Sequence, residues 1–416
     1  MEPSHPSLST RRDVLRAAAL AASISMPGRS EAAETVAEAQ PALHSLLTPA
    51  EAFYDVSRGK PKPHSLTGES LIRAGLTPET WRLEVVEDDF TDAVVTEPAQ
   101  LGRQLLRADG TALDLPMLMD LGRNHAVRYL KAMQCLNIAE PLGQGLWEGV
   151  PLREVLRLCG PLHNVRRIYY WGFHNEDPKQ LFQSSLSYSE AMETLPGDPP
   201  VFLAYRLNGA PIPLERGGPV RMVVPWAFGF KSIKWLQRIS LTNDFRANDT
   251  YANRNNDPDA PLKTAAYIDP GKGRVEAGAN VVVTGRVISG LSGVARVEGW
   301  LRRVGAESDE IDEATLQRGP WKPCRLEEPP ADWASVLPTG VSSQQVLGFD
   351  PATGRPSVWP LRYSMISWWA ELRGLKPGHY EFRARAVDLN GFAQPEPRPL
   401  LKAGKNALEV HRFEVV

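Results

Sequence analysis

The stretch 129–160, YLKAMQCLNIAEPLGQGLWEGVPLREVLRLCG, sets the tightest limit on what this chain can fold into. Tyr129, Leu130, Ala132 and Met133 make an apolar run of strand length that ends at Gln134 and Cys135. A loop is expected to carry Asn137, Glu140, Gly143 and Gly145 to Trp147. Beyond Pro151, the residues Leu152, Val155, Leu156 and Leu158 fall at helical spacing, and Gly160 stops the helix. A cysteine at a strand end, facing a glycine-rich loop, stands where a soft thiolate can hold a metal without being buried inert.

Around this unit the chain of 416 residues has room for two or three domains. Its net charge of -2 gives no basis for a nucleic-acid or anionic-membrane partner. Three cysteines, Cys135, Cys159 and Cys324, are too few for a disulfide framework. Cys159 lies on the apolar helix and reads as core. Cys324 stands beside Trp321 and Pro323 with no ligand partner nearby in sequence.

The N-terminus reads as an address. Arg11 and Arg12 precede the weakly apolar run 17–26, and the small residues Ala32 and Ala33 follow. Residues 1–33 are therefore expected to be an export signal of twin-arginine type, the run being too short for the roughly 20 residues that span a bilayer. No later segment looks transmembrane. Residues 165–171 and 201–205 have strand character, and Ser187 with Glu190 opens a short capped helix. Met117 to Leu121 begins another, whereas Arg123, Asn124 and His125 are taken as surface loop. Residues 258–263 read as a linker. From Gly278 onward, apolar alternation at strand spacing, broken by Gly, Pro, Asp and Asn, predicts an antiparallel sandwich of roughly seven short strands.

The unit around Cys135, with Trp147 and the Gly149-Val150-Pro151-Leu152 run, resembles the metal-ligand region of the sulfite oxidase family. A second block, 217–244 (GGPVRMVVPWAFGFKSIKWLQRISLTND), resembles that family's other pterin-binding segment. The resemblance implies an α+β fold: a molybdopterin-binding domain over 34–258, then an all-β immunoglobulin-like dimerisation domain over 259–416. It further implies Mo-molybdopterin as cofactor, with Cys135 as its one protein thiolate and metal ligand. Arg221 matches the family's phosphate-contacting arginine, and Ser232, Ile233 and Lys234 match its second phosphate contact. Arg216 stands where relatives carry Asn or His. The Phe53-Tyr54-Asp55 run is similar to that of the periplasmic methionine sulfoxide reductase subunit, which assigns Tyr54 and Asp55 to the cofactor. An Asn of that motif is replaced here by Glu51. Arg58 is the candidate for the arginine that sulfite oxidases place in this region, and Tyr251 for the substrate-pocket tyrosine. Both are expected to be catalytic.

One departure bears on substrate. Sulfite oxidases follow the ligand cysteine with arginines, but here Leu136-Asn137-Ile138-Ala139-Glu140 bring no cation, and a carboxylate at Glu140 would repel sulfite if it pointed inward. The expected activity is two-electron oxidation of sulfite or a related small sulfur compound. The expected setting is the periplasm, with a c-type cytochrome or other carrier as acceptor and a homodimer as assembly. Reduction of a sulfoxide is the first alternative, and a non-catalytic binding scaffold on the same fold the second. Trp147, Trp226 and Trp235 read as packing residues, Trp147 being the best candidate for a pocket wall. His174 reads as an ordinary polar-turn histidine.

Overall fold

In a computed structural model of the chain, residues 41–88, 96–254, 256–305, 311–395, 404 and 406–416 are described. The expected export signal, 1–33, lies outside them. The apolar run at the centre becomes the strand Val127–Met133, antiparallel to Gly143–Pro151 with Met133 opposite Gly143 and Tyr129 opposite Trp147. The second strand therefore begins at Gly143, earlier than the expected loop allowed, and all nine of its residues are buried. Buried on both faces, it cannot show the polar–apolar alternation that marks a half-exposed strand. Gly149 is fixed by crowding. A side chain there would meet the Leu203 carbonyl oxygen at 2.1 Å, where the register slips against Phe202–Leu207.

Two sheets carry the first part of the chain. In one the spatial order is Ala210–Pro211, Phe202–Leu207, Gly143–Pro151, Val127–Met133, with Arg221–Val223 on the free edge of Phe202–Leu207. In the other the order is Leu113–Asp114, Arg82–Glu87, Leu236–Thr242, Arg167–Gly172, Gln183–Ser187, and the Arg82–Glu87 pair with Leu236–Thr242 is parallel. Their inner faces share one core with the helices Leu115–His125, Leu152–Arg157 and Tyr188–Met192. The last has the expected capping box between Ser187 and Glu190. Arg123, Asn124 and His125 close the Leu115–His125 helix rather than forming a loop, and all three are exposed. Cationic residues suit a helix C-terminus, where the carbonyl ends carry partial negative charge.

Beyond residue 264 a four-stranded sheet (Ala265–Ile268, Val281–Ile288, Met365–Leu372, Arg325–Leu326) shares a core with a five-stranded one (Arg274–Val275, Glu409–Val415, Gly378–Val387, Arg296–Val304, Lys322–Pro323). This is the expected all-β sandwich, with Trp368 and Phe382 stacked between the sheets at 6.3 Å. The expected linker is not a solvated tether. Ala260 and Leu262 are buried, and the Leu262 amide donates to the Trp226 carbonyl at 2.7 Å. Residues 41–416 form one compact unit.

Candidate functional site

Cys135 emerges from the Val127–Met133 strand where the chain turns, half-buried and unpaired. The turn is held by Gln134, itself 1 % exposed, whose amide donates to the carbonyls of Cys135 and Ile138. The Gly229 amide donates to the Gln134 carbonyl at 2.7 Å and ties this turn to the second sequence block. Cys135 lines a cavity of about 360 Å³. The other two cysteines do not. Cys159 is fully buried in the main core with its thiol pushed up to about 11, and burial pushes Cys324 up to about 12.

Part of the cavity wall is cationic. Arg216, Arg221 and Lys234 all line the cavity, with Ser232 and Ile233 between them. Arg221 donates from Nη1 to the Arg216 carbonyl and from Nη2 to the Ser232 carbonyl, and its guanidinium lies over the Trp147 ring. Arg216 donates to the Phe53 carbonyl at 2.7 Å. The buried Nε of each has no hydrogen-bond partner. Lys234 donates to Ser57 Oγ, the Glu215 carbonyl and Asp55 Oδ1. Burial and the nearby Arg221 lower its amine to about 7, against the opposing pull of Asp55. Burial likewise lowers Arg221 to about 9, with Arg216 adding to it. Cations depressed this far are short of an anion.

Asp55 does not line the cavity, contrary to the expected direct contact. Burial favours its protonated form, but hydrogen bonds from Ser57 and Lys62 and the charge of Lys234 keep it ionised well below the usual carboxylate range. It positions Lys234 from behind. Tyr54 lines the cavity and is half exposed. Trp147 is fully buried beneath Arg221, so it is a packing residue and not a wall. Glu140 is exposed and off the cavity, which removes the expected repulsion.

The mouth is aromatic. Tyr251 stacks on Phe230 at 4.2 Å and meets Phe182 edge-on at 5.5 Å, and the Arg58 guanidinium lies 4.4 Å over Phe182. Burial raises the Tyr251 hydroxyl, which therefore keeps its proton. Phe182, Phe230 and His174 escaped the sequence reading as wall residues. They come from three separated segments, and no periodicity links them.

These residues fit a phosphate-bearing pterin. Two orphaned guanidinium nitrogens and a depressed lysine call for a dianion, and bidentate Arg with point-charge Lys is a phosphate-reading set. Among the described residues no three His, Cys, Asp or Glu converge, so a metal at Cys135 must bring its other ligands with it.

Comparison with known proteins agrees. Residues 72–250 match the model of the oxidoreductase molybdopterin binding domain. An inducible nitrate reductase [NADH] of Glycine max is 27% identical over 175 residues, covering 41% of this chain and 19% of the relative. The protein-methionine-sulfoxide reductase catalytic subunit MsrP of Xanthomonas campestris is 36% identical over 104 residues, 22% of this chain and 30% of that one. This chain thus spans under a third of the length of either relative. The sulfane dehydrogenase SoxCD from Paracoccus pantotrophus shares the fold over 93% of both chains, with a TM-score of 0.52 and 15% sequence identity.

Proposed function

We propose, from the premise that the chain belongs to the sulfite oxidase family of molybdopterin-dependent oxidoreductases, that it oxidises a small sulfur compound by two electrons and passes them to a c-type cytochrome. The observation that carries this reading is one cavity lined by the Cys135 thiol, the buried Arg216 and Arg221 and the half-buried Lys234. Molybdenum on its pterin supplies the two-electron change when bound. Cys135 would hold the metal, and Arg216, Arg221 and Lys234 would grip the phosphate. Arg58 draws an anion to the mouth. Tyr251, protonated and beside Asn137 on the cavity wall, presents a hydroxyl donor. The sulfur substrate named for the sulfane dehydrogenase supports the same chemistry here.

Export through a twin-arginine signal and assembly as a homodimer belong to the same reading. Among the described residues no helix is long and apolar enough to cross a membrane. Sulfoxide reduction is the second reading, supported by the 36% identity to the methionine sulfoxide reductase subunit. Molybdenum-loaded protein should oxidise a sulfur substrate with ferricyanide as acceptor. Turnover confined to methionine sulfoxide with a reduced viologen dye would transfer the assignment to the second reading. Folded protein without molybdenum or pterin fluorescence would leave only the scaffold.

A further inference from the structure

Resting on the oxidative reading above, the chemistry of the mouth narrows the substrate. Among the described residues, the Arg and Lys side chains lining the cavity are Arg58, Arg216, Arg221 and Lys234. Of the last three, Arg216 and Arg221 are buried and Lys234 is half-buried; all three donate to backbone carbonyls and would form the phosphate cradle. Arg254 influences Tyr251 electrostatically but is exposed and off the cavity wall. That leaves Arg58, an exposed guanidinium lying over the Phe182 ring. Beside it the wall carries the Phe182–Tyr251–Phe230 array, with Tyr54, Asn137, His174, Gln180 and the Tyr251 hydroxyl as further polar groups.

Inorganic sulfite is a small, strongly hydrated anion. Drawing it out of water requires several charge-assisted donors aimed at its oxygens, and one solvent-screened guanidinium replaces few of its water contacts. An anion with an apolar body loses less hydration and gains ring contact. We propose that the substrate class this mouth selects is an organic sulfinate, its charged head at Arg58 and its carbon body against Phe182, Tyr251 and Phe230. The step balances as sulfinate plus water giving sulfonate, two protons and two electrons. The electrons leave to a one-electron acceptor, a c-type cytochrome or ferricyanide, two equivalents per turnover.

The test uses the full-length protein loaded with its molybdenum cofactor. With ferricyanide as acceptor, kcat/KM is measured for benzenesulfinate, methanesulfinate and sulfite. Benzenesulfinate should exceed sulfite by about tenfold or more, with methanesulfinate between them, since apolar complementarity in a pocket discriminates on that order. Phe182→Ala should cut the benzenesulfinate-to-sulfite ratio at least about fivefold. Phe182→Leu, which keeps bulk without a ring face, serves if the alanine variant loses its thermal transition. Calorimetric titration gives a readout independent of turnover: benzenesulfonate should bind more tightly than sulfate. A wild-type ratio below about tenfold, a ratio untouched by both variants, or tighter binding of sulfate overturns the sulfinate assignment and leaves sulfur oxidation standing. Turnover of none of the three by fully loaded protein overturns the functional reading itself.

Discussion

Cys135 differs from the other two cysteines by where its strand ends. The thiol of Cys159, in the turn just past the Leu152–Arg157 helix, is fully buried and has its ionisation pushed up to about 11. Cys135→Ser should abolish turnover while leaving the thermal transition and pterin content near wild type, because the half-buried hydroxyl replaces the thiol without a cavity. Lys234 makes a second residue-level prediction. Its amine falls to about 7 in the folded cofactor-free protein, from an ordinary 10.5. Between those values the unfolded chain binds a proton that the folded chain does not, so stability rises with pH across that window and is lowest below pH about 7. Lys234→Met should flatten this rise, measured as the denaturation midpoint of cofactor-free protein against pH. Cys135, Arg221 and Lys234 were legible in the sequence because each sits in a short local pattern. Phe182 and His174 were not, since their role arises only where separate loops meet.

Among the elements, the turn that presents Tyr251 depends on Asp249. Its fully buried carboxylate accepts from the Tyr251 and Ala252 amides, both at 3.0 Å, and from Ser185 Oγ at 2.9 Å. Asp249→Ala leaves three donors unpaired, each worth about 1–3 kcal/mol when buried. The expected result is a KM raised about tenfold with metal content retained, measured by steady-state kinetics beside molybdenum analysis. An unchanged KM would mean that the turn holds without this carboxylate. The segment before the first sheet also behaves as an element. His44 pairs with Asp269, the Thr48 amide donates to the Gln144 carbonyl, and Phe53 packs on Gly143, whose φ of 139° only glycine adopts readily. That path delivers Tyr54, Ser57 and Arg58 to the cavity. The order of residues 44–58 comes from these distant partners, which local composition does not encode.

Across the whole molecule, the sandwich and the site-bearing sheets are joined by Gln144. It is 1 % exposed. Its amide donates to the carbonyls of Leu46 and Met365, and its oxygen accepts from the Met365 amide. Arg362 also pairs with Asp198 across the same junction. Strand alternation from residue 278 onward made the sandwich readable in the sequence. Its attachment was not readable, because a buried glutamine and the turn-rich stretch 258–263 look like ordinary polar chain. Gln144→Leu should lower stability by about 3 kcal/mol through unpaired backbone groups while denaturant unfolding keeps a single transition. Two separated transitions in the wild type would contradict a continuous unit.

Everything proposed for catalysis depends on the bond between the Cys135 sulfur and molybdenum. X-ray absorption at the molybdenum edge, on cofactor-loaded wild type and Cys135→Ser, measures that bond directly. One fewer sulfur neighbour in the variant is the predicted result, and an unchanged sulfur count would contradict the assignment of Cys135 as the ligand.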